Sequence, residues 1–150
     1  MTMRNRQNLP EFVLHALCDK DCFNIAKAAY FIDNPDFDCI KGVAGFSATE
    51  AFEPDIWSNP NDFTDYMVNA AFNKKVRTLQ GKSSKMYNQS YTLFQDIAQI
   101  LGLQGYALCD IQMPYDNHGY VMYELQKDTG EIENELMRNS LSLLSFCPLY

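Results

Sequence analysis

The sequence predicts an α+β domain: an antiparallel sheet built from hairpins and covered by helices mainly on one face. Three observations carry this. Long stretches around residues 60–80 and 87–101 keep apolar residues at helical spacing. The stretches "GYALCDIQ" and "GYVMYELQ" alternate with period two around a polar turn. The regular strand–helix–strand alternation of a doubly wound nucleotide fold is missing. At 150 residues, with no repeat or linker-like tract, the chain is expected to form one globular domain over residues 1–150.

The first helix has Asn8 as cap, Pro10 in its first turn and Glu11 as the carboxylate of a capping box. Leu14, Leu17, Cys18, Cys22 and Ile25 follow on one helical face, although the run Asp19-Lys20-Asp21 weakens the second half. "AAYFIDNPDFDCIKGVAGF" reads as two strands joined at Asn34-Pro35, because Tyr30, Phe31 and Ile32 suit a pleated surface and Pro35 blocks a helix. Ser47 and Glu50 mark a short capped turn, and "EPDIWSNPND" is a proline-punctuated loop over the core edge.

A long helix is then expected from Pro60 to Gln80, with Asn59 as cap and Gly81 as stop. Its first half sets Phe63, Met67 and Ala70 on one side, and its second half sets Phe72, Val76 and Leu79 roughly opposite. Such a helix is buried on two sides or bent in its middle. The next helix runs over Tyr87, Tyr91, Phe94, Ile97, Ala98 and Leu101 and ends at Gly102. The hairpin around "PYDNH" follows, and "KDTGEI" leads to a third strand or, with Asp128 and Glu131 as a capping box, to a helix. Residues 131–146 stay open between strand and helix. The apolar ending "SLLSFCPLY" is expected to dock on the body.

Composition narrows function by exclusion. The opening "MTMRNRQNLP" leads into no apolar core of a signal peptide, and no apolar run reaches membrane-spanning length. Together with five irregularly spaced cysteines, this points to a reducing cytoplasm and free thiols. A net charge of −7 argues against nucleic-acid binding, whose phosphate contacts need a basic footprint. The charge is segregated: residues 66–95 carry five bases and no acid, whereas residues 9–65 carry eleven acids and three bases. Ten Phe, nine Tyr and one Trp exceed the needs of a small core, which leaves some for a partner or ligand surface.

Few residues offer chemistry. His15, Cys18 and Cys22 share one helical face, and Cys39 or Cys147 would complete a tetrahedral zinc or iron site. The pair of cysteines two residues apart on a tight turn, usual for zinc, is absent. Cys18 and Cys22 also fall on the stripe of Leu14, Leu17 and Ile25, so core packing is the favoured reading. A Cys109–His118 dyad across the hairpin is weighed against Cys109 alternating with Ala107 and Ile111, a buried pattern. "GKSS" at Gly81 has Val76 where a phosphate loop needs its first glycine, "DTG" at Asp128 lacks apolar flanks, and "DNPDFD" lacks the glycine and closing glutamate of a calcium loop.

Lys74, Lys75, Arg77, Lys82 and Lys85 remain. Cations in a helix's last turns offset its carbonyl ends. The functional alternative is a patch for an anionic ligand, an acidic partner, or the acidic half of a second copy of the chain. The expected function is a small cytoplasmic binding or accessory protein, not an enzyme. It would act through protein or anionic-partner contacts and self-associate as a homodimer, without nucleic acid or membrane. Two alternatives stand beside it: a metal- or thiol-dependent enzyme using His15, Cys18 and Cys22, and a small-ligand carrier with an aromatic pocket.

Overall fold

The computed structural model describes residues 9–34, 39–81, 93–113, 117–126 and 134–146. Strands β1 (Ile25–Asn34), β2 (Cys39–Ser47), β3 (Gln80–Gly81), β4 (Ala107–Gln112) and β5 (His118–Leu125) form one sheet in the order β3-β2-β1-β5-β4. Every pairing is antiparallel. Around it pack α1 (Leu9–Cys18), α2 (Pro60–Asn69), α3 (Ala71–Thr78), α4 (residues 93–101) and α5 (Asn134–Leu141), the last running into a 3-10 turn at Ser142–Phe146. The α+β class read from the sequence holds.

The central strands β1 and β5 are apolar on both sides, and this decides the layering. Ala28, Tyr30, Val121 and Tyr123 face α1 and α5, where they meet Leu14, Cys18, Met137, Leu141 and Leu144. Ala29, Phe31 and Met122 face the other way, onto Phe72 and Val76 of α3 and Phe94, Ile97 and Leu101 of α4. Helices therefore cover both faces, where the order of helices between hairpins suggested mainly one. A bulge keeps β2 in phase with this arrangement. Tyr30 pairs with Ala44 and Phe31 with Gly42, so Val43 is the extra residue and the strand switches which side chains it presents.

The expected helix from Pro60 to Gln80 is two helices, which resolves its opposed stripes. The chain breaks at Ala70, whose backbone is extended at φ −66° and ψ 127°. Phe63, Met67 and Ala70 then join Ile56 in a satellite cluster with Phe12, Ala16 and Phe52, while Phe72 and Val76 join the sheet. The break is stabilised from a distance. The Glu50 carboxylate accepts the Ala71 and Phe72 N–H groups at 2.8 and 3.1 Å, capping α3. Ser47, expected to pair with Glu50 in a capped turn, makes no such cap and contacts Thr49 instead. Gly81 does not stop a helix; α3 ends at Thr78, and Gly81 pairs with Ile40 in β3.

α3 lies flush on β2 because glycines face it. A Cβ at Gly42 would come 1.9 Å from the Val76 carbonyl oxygen, and one at Gly45 would come 2.7 Å from Val76 Cγ2. Among the described residues β3 pairs with Ile40 and Lys41, and beyond them α3 and the residue after it finish the outer edge of β2. The Gly42 N–H donates to the Leu79 carbonyl at 2.9 Å and the Gly45 N–H to Asn73 Oδ1 at 2.8 Å. Asn73 Nδ2 in turn donates to the Met67 carbonyl at 2.9 Å.

The remaining elements follow their sequence signals. α4 closes at Gly102, in the left-handed region at φ +71°, with the Leu103 N–H returning to the Ala98 carbonyl at 2.8 Å. Its expected start at Tyr87 and the turn residues 114–116 lie outside the described residues. Of the two readings for residues 131–146 the helical one holds over Asn134–Leu141, and Leu144 is buried against the core. The first helix stops sooner than its stripe suggested. A turn at Asp19, with the Cys22 and Asn24 N–H groups both donating to its carbonyl, ends α1 at Cys18. Asn24 turns left-handed at φ +53° and leads into β1, so Ile25 is a strand residue.

Candidate functional site

The end of α1 and the loop of residues 51–57 bound a cleft of about 530 Å³. The apolar satellite cluster fixes the loop from beneath. Ile56 is buried in it, and the Phe52 ring meets Phe63 edge-on at 5.6 Å. His15 ties the loop to the helix: its Nε2 accepts the Phe52 N–H at 3.0 Å. The imidazole is 4% exposed and meets the rings of Phe46 and Phe63 edge-on at 5.1 and 5.2 Å. Burial lowers its pKa below the ordinary 6.5, against the opposing pull of the Asp19 carboxylate and a backbone contact. It is therefore a neutral acceptor in this fold.

The cleft wall carries carboxylates at Asp19, Asp21, Glu53 and Asp55 against one ammonium, Lys20. Asp55 also builds its own loop, accepting the Trp57 N–H at 3.1 Å and the Ser58 hydroxyl at 2.8 Å. Trp57 stands at the mouth. It is 74% exposed, yet its ring is held edge-on to Phe12 at 4.7 Å. Leaving an indole so open forgoes the 1.5–3 kcal/mol or so that burying a large apolar side chain contributes.

The residues singled out from the sequence separate in space. His15 and Cys18 border the cleft, Cys18 with its thiol fully buried and its pKa pushed up by desolvation. Cys22 is exposed in the turn after α1, because the helix has already ended. Cys39 opens β2 opposite Asn34, seven residues along the strand from the Phe46 that touches His15. That is roughly 20 Å of strand. Among the described residues no group of three His, Cys, Asp or Glu side chains is placed to hold a metal ion. Cys147, the other candidate ligand, lies outside the described residues, as do Asp128 and residues 82–92.

Cys109 pairs with Val121 and His118 with Gln112, an odd number of rungs apart, so the two point to opposite faces of the hairpin. Cys109 is buried, and desolvation raises its pKa. His118 is thus turned away from the Cys109 thiol.

The basic set also divides. Lys74 and Lys75 are exposed on α3. Arg77 is engaged: its guanidinium donates to Glu11 Oε1 at 3.0 Å, and Glu11 is only 1% exposed. Lys82 and Lys85 lie outside the described residues. The feature that sequence reasoning missed is the cleft around Trp57. Its signal was the chain's one tryptophan, set in a loop that carries Glu53, Pro54 and Asp55.

No protein-family model matches the chain, and no curated protein or solved structure is significantly similar to it.

Proposed function

We propose that the protein is a binding protein, not an enzyme, and that it engages a positively charged polypeptide segment through the cleft between α1 and residues 51–57. One observation carries this reading: an exposed tryptophan held at the mouth of a concave surface walled by four carboxylates and one ammonium. A Lys or Arg head over an indole face contributes about 0.5–2 kcal/mol, and flanking carboxylates steer such a group toward the cleft. A cytoplasmic setting belongs to the same reading, supported by Cys18, Cys22, Cys39 and Cys109 as free thiols. No described helix is long and apolar enough to cross a membrane.

The sign of the cleft reverses the partner suggested by the basic helix end. An anionic partner has Lys74 and Lys75 as its remaining described contacts, since Arg77 is held by Glu11. Octalysine and octaglutamate peptides separate the two readings. Trp57 is the chain's one tryptophan, so its emission reports the cleft alone. Octalysine should give a saturable change in that emission, weakened by salt, and Asp21→Asn with Glu53→Gln should reduce its affinity by about tenfold, the equivalent of 1.4 kcal/mol. Both side chains are exposed, so the double variant should fold normally. Binding of octaglutamate with no response to octalysine would reverse the assignment and return the site to α3.

A further inference from the structure

We infer that His15 is a pH-sensitive latch that holds the Trp57 loop closed against α1 while its imidazole is neutral and releases the loop when it is protonated. The geometry makes the latch specific. The Phe52 N–H points at Nε2, so that nitrogen must keep its lone pair. Placing a proton there sets two donors face to face at 3.0 Å and puts a cation in a site that is 96% closed to water.

The surroundings do not cancel that cost. From α1, Asp19 lies one turn on and favours the imidazolium, Glu11 lies one turn back with its carboxyl buried and its Oε1 taken by Arg77, and Cys18 is a neutral thiol. From the loop, Glu53 and Asp55 face the open cleft, and Asp55 is already engaged by Trp57 and Ser58 within its own turn. Asp21 and Lys20 border the same cleft from the turn after α1 and are opposite in charge. From β2 and α2 the rings of Phe46 and Phe63 meet the imidazole, and neither carries a charge. Burial outweighs Asp19, and the neutral form is the one the fold favours. Stability from the latch is thus complete above pH 6.5 and is lost as pH falls through the depressed folded value.

Release has a defined route. Asp55 bonds mainly within residues 55–59, so opening the Phe52 bond leaves that turn intact, and its outward movement then also draws Ile56 from the satellite cluster. Trp57 then leaves its seat on Phe12, and the cleft loses its outer wall. Regulation of ligand binding rests on the role proposed above for the cleft; the latch does not, because it acts in the free protein.

The test is an acid titration of Trp57 emission in the free protein from about pH 8 to about pH 4.5, the range in which histidines titrate before most carboxylates. The wild type should show a transition with its midpoint below 6.5. His15→Gln, whose amide oxygen still accepts from Phe52 but does not titrate, should show none. A change at His118, the other histidine, should leave the transition in place. An independent reading in unaltered protein is the Phe52 amide resonance, which should move along the His15 ring's own titration curve. A flat wild-type titration, an unchanged transition in His15→Gln, or a Phe52 amide indifferent to His15 would overturn the latch. Octalysine affinity should fall by up to about tenfold per pH unit below the midpoint in the wild type, the limit for one linked proton, and not in His15→Gln. Emission that titrates without any octalysine binding at about pH 7.5 would sink the binding role and leave the latch standing.

Discussion

Glu11 and His15 sit one turn apart on α1 and respond to acid in opposite directions. Desolvation raises the Glu11 pKa, and Arg77 offsets only part of that. The fold thus holds the Glu11 proton more tightly than the unfolded chain does, so ionising it costs stability as pH rises above 4.5. One carboxylate oxygen, Oε2, finds no hydrogen-bond partner among the described residues. Arg77→Ala should therefore destabilise the protein by about 1–2 kcal/mol at neutral pH, a modest figure because the guanidinium is half exposed. Urea midpoints should show that loss shrinking as pH approaches 4.5 and Glu11 takes up its proton. The thiols offer a simpler test. Cys22 should react with a thiol reagent within minutes in native protein, and Cys18 only on unfolding, as peptide mass mapping would show. Equal rates would mean that α1 does not end where it is drawn. The burial of Leu14 and Cys18 was legible in their spacing. That of Glu11 was not, because its partner Arg77 is 66 residues away.

Among the elements, the α2–α3 pair shows where sequence reasoning loses its grip. The opposed stripes were visible, and a bend was one of their two readings. No glycine or proline marks Ala70, however, and the cap that makes the break stable comes from Glu50, 21 residues before the Ala71 it holds. Local signals placed the body of β1, β2, the end of α4 and the β4–β5 hairpin because each carries its own turn chemistry or periodicity. Layering was harder to read. A strand buried on both faces shows no alternation, and only the fold reveals that β1 has helices above and below. The close seat of α3 gives a sharp test. Gly42→Ala drives a methyl into the Val76 carbonyl and should lower stability by about 2–3 kcal/mol in urea denaturation, whereas Gly105→Ala, with open space around it, should cost less despite its positive φ. Similar losses at both sites would mean that α3 does not rest on β2.

For the molecule as a whole, both stripes of the α2–α3 pair are spent inside one chain, so the second stripe no longer calls for a second copy. A homodimer built on the segregated charge has salt sensitivity as its expected signature. Any dimeric mass seen by light scattering at about 0.05 M salt should fall to the 17.2 kDa of one chain by about 0.5 M, where screening is nearly complete. A dimer that persists would point instead to apolar contacts such as the exposed Leu136 and Leu143. The edge of β2 carries a different consequence. Asn73 gives the Gly45 N–H the acceptor that a neighbouring strand would otherwise supply, so one amide side chain and one helix complete a sheet that β3 leaves short. Strand edges left open recruit other chains. α3 is in that sense a guard against aggregation. Asn73→Ala should clump on mild heating well before its core melts, and a nascent chain is exposed to the same hazard until α3 has docked.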